Sequence, residues 1–217
     1  MIKNKVDLDF YLSADKYALG KNYKKPKIND EIWKFQIFLR KSEFYRNGSK
    51  NFINFLLGSY YRYRKHKLGI LLGFDIGDNV FGPGLRINHY GNIVVSPLAR
   101  VGMWCDIHQG VNIGVNNSVD GNIELVPIIG HNVWIGPGVK IFGKIKIGNN
   151  NVLGANAVVT SGHGDNKTLV GIPAKVIKNS GTESLNVAAS ENRTRNYFVD
   201  DVNLNRIRSF RNEFDSI

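Results

Sequence analysis

Cysteine is almost absent: Cys105 is the only one in 217 residues. No internal disulfide can form, and the chain fits a reducing cytosol. No run approaches the ~18–20 apolar residues that a bilayer-spanning helix needs. The opening MIKNKVDLDF has lysines with no apolar stretch behind them, which does not read as a signal peptide. A cytoplasmic protein is therefore expected. Acidic residues are scarce at the front, where residues 1–70 hold 16 Lys and Arg against 6 Asp and Glu, while the remainder holds 13 against 12. The net charge of +11 thus belongs to the first third, in KNYKKPK and YYRYRKHK. Such a surface attracts anions, including lipid headgroups and phosphate-bearing substrates. Charge alone is too little to assign nucleic-acid binding, and none is expected.

What is present falls into three regions. Residues 1–70 form a basic helical subdomain. NDEIWKFQIFLRKSEFYRN offers Asn29 or Asp30 as N-cap, Glu31 in the first turn, and Ile32, Trp33, Phe35, Phe38, Leu39 and Phe44 at near-helical spacing. From about residue 71 to 178 the rhythm changes. Ile129, Ile135, Ile141, Ile147, Leu153 and Val159 are spaced six apart, with glycine following most of them. The same period runs upstream through Val95, Val101, Ile107 and Ile113, and through Phe81, Ile87 and Ile93, with a slip of two residues between Ile93 and Val95.

A sustained period of six is neither helical nor a simple strand alternation. It is the signature of a hexapeptide repeat, one short flat strand and a turn per six residues, stacked so that the aliphatic side chains form a buried ladder. Glycine and asparagine suit the corners. The expected fold is mainly β: a left-handed parallel β-helix with an N-terminal helical subdomain and a polar C-terminal tail. Ile113 and Ile129 stand 16 positions apart, so residues 115–127 read as a loop leaving the prism, a common place for binding residues. Residues 179–217 are polar and without the repeat. DDVNLNRIRSFRNEF can form one helix, and part of the tail is expected to be flexible.

The runs VFGPGLRINHYGNIVV, CDIHQGVNIG, PIIGHNVWIGPGVKIFGKIKIG, LGANAVV and VGIPAKVI resemble the hexapeptide-repeat acyltransferases, and more narrowly their serine acetyltransferase branch. The resemblance covers roughly Asp75 to Lys178. Within that branch the likeness is to the acetyltransferases of capsule, O-antigen and exopolysaccharide synthesis. It implies acetyl-CoA as donor and His89 as general base, since INHYGNIVV matches the branch's histidine context. A hydroxyl is a poor nucleophile until a base removes its proton, and imidazole, with an ordinary pKa near ~6.5, can do so at neutral pH. By the same resemblance Asp75 orients the imidazole, with Asp78 as fallback. Asn88 and His108 are expected at the acceptor, and Gly114 at the oxyanion. Gly136, Gly154 and Ala155 would lie along the pantetheine arm, with Lys175 at the phosphates of CoA. A homotrimer with shared active sites is implied.

The chain departs from the serine acetyltransferases at IELVPIIG, where Glu124, Leu125 and Val126 stand in place of a basic pair associated with amino-acid recognition. Without a guanidinium the natural clamp for a free carboxylate is missing. The expectation is therefore O-acetylation of a saccharide in surface-polysaccharide synthesis, on a lipid-linked acceptor, with the basic front held peripherally at the inner membrane face. Serine O-acetylation is the alternative, which the terminal isoleucine of FDSI favours. No metal is expected, because His66, His89, His108, His131 and His163 share no phase that would converge on one ion.

Overall fold

The computed structural model describes residues 1–115, 126–185 and 201–217. Three helices lead. α1 (Lys5–Ala18) opens on a capping box in which the Asp7 N–H donates to the Asn4 side chain at 2.9 Å and the Asn4 N–H donates to the Asp7 carboxylate. α2 (Glu31–Asn47) begins after Asp30, whose carboxylate is drawn away from capping. It accepts instead from Lys21, the Tyr23 hydroxyl and the Lys27 N–H, at 2.6–2.7 Å. α3 (Phe52–Leu72) is capped by Asn51 and stops at Gly73, which takes the left-handed conformation at φ 75° that only glycine adopts without strain.

A three-sided prism follows. The first coil contributes β1 (Phe74–Ile76) and β2 (Arg86–Ile87), with Phe81 bridging on the side between them. The second adds β3 (Ile93–Val95), β4 (Arg100–Val101) and β5 (Asp106–Ile107), and the third β6 (Asn112–Gly114), β7 (Ile128–Ile129) and β8 (Trp134–Ile135). The fourth is β9 (Lys140–Phe142), β10 (Lys146–Ile147) and β11 (Val152–Leu153). β12 (Val158–Val159) and β13 (Thr168–Val170) begin a fifth, and β14 (Lys175–Lys178) closes antiparallel on β13. The faces are the stacks β1-β3-β6-β9-β12, β4-β7-β10 and β2-β5-β8-β11-β13-β14. Ile107, Ile113, Ile129, Ile135, Ile141 and Ile147 are wholly buried along the axis.

Register explains both breaks in the six-residue rhythm. Val95 pairs with Ile113 and Ile141 with Val159, each eighteen positions on, whereas Ile113 pairs with Ile141 after twenty-eight. Ten residues therefore leave the prism between β6 and β7; residues 116–125 of the expected loop lie outside the described residues. The smaller slip is a corner. Ile76 pairs with Val95, so Val95 occupies the inward place after Ile87, eight positions on instead of six. The two surplus residues widen the turn at Asn88–Asn92.

The helices cap the prism's open end through a buried polar cluster. The fully buried Arg40 guanidinium pairs with Asp15 at 2.8 Å and Glu43 at 3.1 Å, and donates to the carbonyls of Phe81 and Gly82, each at 2.8 Å. Asp15 accepts from the N–H groups of Gly84 and Leu85, and Gln36 donates to the Leu85 carbonyl. Burial pushes the Glu43 carboxyl above its usual range, against the pull of Arg40. At the far side, α4 (Asp201–Asp215) lays Phe214 and Phe210 over His131, with ring centroids 5.0 and 6.2 Å away. His131 is buried, and its Nδ1 accepts from the Met103 N–H at 3.0 Å.

Two stability changes are expected. Arg40→Ala leaves Asp15 and Glu43 buried without their cation, so a loss of about 3–5 kcal/mol in a urea titration is predicted. His131 is held down to about 4, mainly by burial and then by Arg211. Its folded pKa lies below the unfolded one near ~6.5, so its contribution is present above that value and is lost as pH falls toward 4. The stability difference between wild type and His131→Asn should therefore shrink by about 3 kcal/mol between pH 7 and pH 4.

Candidate active site

The residues that follow the inward aliphatic on the third face form a column along one edge of the prism. Asn88 follows β2, His108 follows β5, Gly136 follows β8, Gly154 follows β11, and Val170 ends β13. Their N–H groups bond down the stack: Asn88 to the Ile107 carbonyl at 3.0 Å, His108 to Ile135 at 3.2 Å, Gly136 to Leu153 at 2.9 Å and Gly154 to Leu169 at 2.7 Å. Val170 pairs with Lys175 in β14. At about 4.8 Å per strand the column runs roughly 24 Å.

Side chains shrink along it, from an amide and an imidazole to two hydrogens. A Cβ at Gly136 would stand 2.8 Å from the Leu153 carbonyl oxygen, and one at Gly154 2.6 Å from a Val170 methyl. Both glycines are thus required by the stacking itself, and they leave a shallow track with Ala155 exposed beside it. Exposed Lys175 marks the far end.

At the near end, the widened corner carries His89 and Tyr90 out to solvent. The His89 ring lies 6.1 Å from that of His108. His108 Nδ1 stands 3.0 Å from the Ile135 carbonyl. A carbonyl only accepts, so Nδ1 bears the proton and the Nε2 lone pair is free in the neutral ring. Burial lowers the His108 pKa, with the Ile135 carbonyl and Asp106 pulling the other way. The Trp134 ring packs edge-on against this imidazole at 4.8 Å. Beneath, buried Asp106 accepts from Arg86 at 3.1 Å and from the Asn88 amide. Burial raises its pKa, offset by Arg86 and His108.

A cleft of about 180 Å³ opens beside this corner, between β2 and the α1–α2 connection. Lys21, Asp30, Glu31, Arg86, Asn88 and Tyr90 line it. Its lining is polar, with Lys21 paired to Asp30 at 2.6 Å and Arg86 to Asp106 at 3.1 Å.

Of the residues expected from sequence, Asn88, His89, His108, Gly136, Gly154, Ala155 and Lys175 fall on one edge. Asp75 does not join them within one chain. It stands exposed on β1, opposite Val94 on the first face, and none of the hydrogen bonds among the described residues links it to His89. The fallback, Asp78, is consumed elsewhere: it is buried against Lys65 at 2.5 Å, Arg46 and Ser42, tying α2 and α3 to the first coil. Gly114 ends β6 on the first face, opposite Phe142, where a Cβ would meet that ring at 2.9 Å. Within one chain it therefore stands on a different edge from His89. Sequence reading missed Arg86, Asp106 and Trp134, which share one place in successive coils and would have emerged from writing the coils in register. Lys21 and Glu31 carry no such signal.

Residues 127–161 match the family described as bacterial transferase hexapeptide (six repeats). The chain is 36% identical over 121 residues to a serine acetyltransferase of Synechococcus elongatus, covering 55% of this chain and 49% of that one. It is 38% identical over 112 residues to a serine acetyltransferase of Mycobacterium tuberculosis, covering 51% and 48%. The chain spans about half the length of the curated relatives it matches. Among solved structures, the serine acetyltransferase of Brucella abortus in complex with coenzyme A superposes with a TM-score of 0.64 at 23% identity, over 82% of this chain and 70% of that one. At that identity the likeness shows the fold, a left-handed β-helix preceded by helices.

These findings overturn the saccharide reading. The relatives and the solved neighbours bear the name serine acetyltransferase, and the hexapeptide domain matches them despite the lost basic pair. That reading took one missing pair as decisive, yet Glu124 and Leu125 lie outside the described residues, and cations line the cleft from other elements.

Proposed function

We propose that this protein is an acetyl-CoA-dependent serine O-acetyltransferase, with His89 as general base. The observation that carries the reading is the edge itself: an exposed imidazole at a widened corner, a side-chain-free track leading away from it, and a lysine at the track's end. Names shared with relatives at 36–38% identity support the acceptor.

In this reading acetyl-CoA lies along Gly136, Gly154 and Ala155, with Lys175 facing its phosphates as a charge partner. Serine occupies the cleft. Arg86 and Lys21 face its carboxylate, and Glu31 faces its ammonium. His89 takes the serine hydroxyl proton as the oxygen attacks the thioester carbonyl. The tetrahedral oxyanion needs donors at the site, and backbone N–H groups are suited to that role. Collapse breaks the carbon–sulfur bond, and the departing thiolate recovers the proton from the imidazolium. The products are O-acetylserine and CoA.

His108 is held neutral with Nε2 free, so it can accept a hydrogen bond at the acceptor without competing for the charge. Asp75 is retained as the carboxylate that orients His89, and Gly114 as an oxyanion contact. Both stand on the first face, so a homotrimer that sets that face of one prism against the catalytic edge of the next would bring them into play. The reading places the reaction in the cytoplasm, where serine and acetyl-CoA meet.

Two measurements test it. Thiol release from acetyl-CoA with serine should fall by at least about 100-fold in His89→Ala, with the unfolding transition unchanged. Absence of turnover with serine in the wild type would overturn the assignment. Glu31→Gln should raise the KM for serine roughly ten-fold and leave that for acetyl-CoA unmoved, since a hydrogen bond to a charged group is worth about 1.5–3 kcal/mol.

A further inference from the structure

α3 has two contrasting sides. Its inner side is held by α2 and the first coil, with Gly69 against the Phe74 carbonyl and the Phe35 ring, and with Leu72 buried. The outer side is apolar and uncovered: Phe52 is 74% exposed, Leu56 51%, Tyr63 56% and Ile70 67%. Their spacings of four, seven and seven put all four on one stripe. Ile53, Tyr60 and Leu71 broaden it on one flank. Contiguous apolar surface of this kind marks an interaction site.

The charge pattern says what covers it. From Phe44 to Phe74 there is no Asp or Glu, while Arg46, Lys50, Arg62, Arg64, Lys65 and Lys67 are all cationic. Arg62, Arg64 and Lys67 are exposed among the apolar side chains. A second copy seated symmetrically on this stripe would set these cations against their own kind, with no acidic group on the helix to pair them. An anionic lipid surface has the complementary charge and takes up aliphatic and aromatic side chains at its boundary. Tyr60 and Tyr63 carry an apolar ring and a polar tip, as that boundary favours. Among the described residues no helix is long and apolar enough to cross a membrane, so contact along the helix side is the geometry open to it.

We propose that the outer face of α3 docks this protein onto anionic lipid bilayers, lying in the interface plane. The docking stands independently of the reaction assigned to the prism edge, because none of its residues lines the catalytic column or the cleft.

Sedimentation of the full chain with vesicles tests it, using phosphatidylglycerol mixed with phosphatidylcholine against phosphatidylcholine alone, at low and high salt. Wild type should sediment with the anionic vesicles, release as salt rises, and stay in solution with phosphatidylcholine alone. The triple variant Phe52→Ser, Leu56→Ser, Tyr63→Ser should bind roughly ten-fold or more weakly. Its circular dichroism, light-scattering mass and thiol-release activity on soluble substrates should match wild type. No sedimentation of the wild type, or equal binding by the triple variant, overturns the proposal. So does a fall in the variant's light-scattering mass, which would make the stripe a contact between copies.

Discussion

A parallel strand is bonded to the residue directly beneath it, and a regular coil of the prism closes after eighteen residues, as from Val95 to Ile113 and from Ile141 to Val159. Any surplus has to leave the wall at a corner. This constraint fixes the inward ladder, and it also gives departures from the period a physical meaning. Two surplus residues between Ile87 and Val95 cannot be absorbed in a flat strand, so they bow outward and carry His89 with them. Ten surplus residues between β6 and β7 leave altogether. In a scaffold this regular, chemistry has nowhere to stand except at such departures and on the outward-facing columns.

The column on the third face shows how repetition is turned to use. Positions related by the repeat occupy equivalent places, so changing one residue type per coil writes a gradient along an edge. Asn88 and His108 fill the near end, and Gly136 and Gly154 empty the middle. Lys175 charges the far end. Arg86 and Asp106 stand two residues earlier on the same face, and Asp106, paired with Arg86, accepts from the Asn88 amide. Trp134 stands in the corresponding place one coil on and walls His108. The buried carboxylate costs desolvation, which Arg86 and Asn88 offset. What it secures is a fixed geometry around the corner from which the exposed imidazole projects.

Much of this edge was legible in the sequence because a repeat converts linear spacing directly into height and face. His108, Gly136, Gly154 and Lys175 could be placed together from hexapeptide phase and resemblance. Legibility ended where the structure stops being periodic. The cleft depends on the α1–α2 connection coming to rest beside β2, and no spacing rule reports how a loop settles. Asp75 was matched by resemblance, and within its own chain it stands on the first face, away from His89. The acceptor was misread for a related reason. A missing basic pair at one point of the chain does not report which cations other elements bring to a site, as Lys21 and Arg86 are brought to the cleft.

The helical subdomain is what makes the near end usable. A β-helix of parallel coils ends in a coil whose outward N–H and C=O groups have no neighbour, an edge that invites pairing with other chains. Here Arg40 donates to the Phe81 and Gly82 carbonyls, Asp15 accepts from Gly84 and Leu85, and Gln36 reaches the Leu85 carbonyl. Side chains from two helices thus stand in for the missing coil. An apolar cap would have buried these backbone groups unpaired, at about 1–3 kcal/mol for each. The polar cluster avoids that cost and fixes the angle at which the helices leave the prism. The same subdomain brings Lys21 and Glu31 to the cleft, while Lys65 on Asp78 and on the Ile76 carbonyl holds α3 against the first coil with its apolar stripe outward.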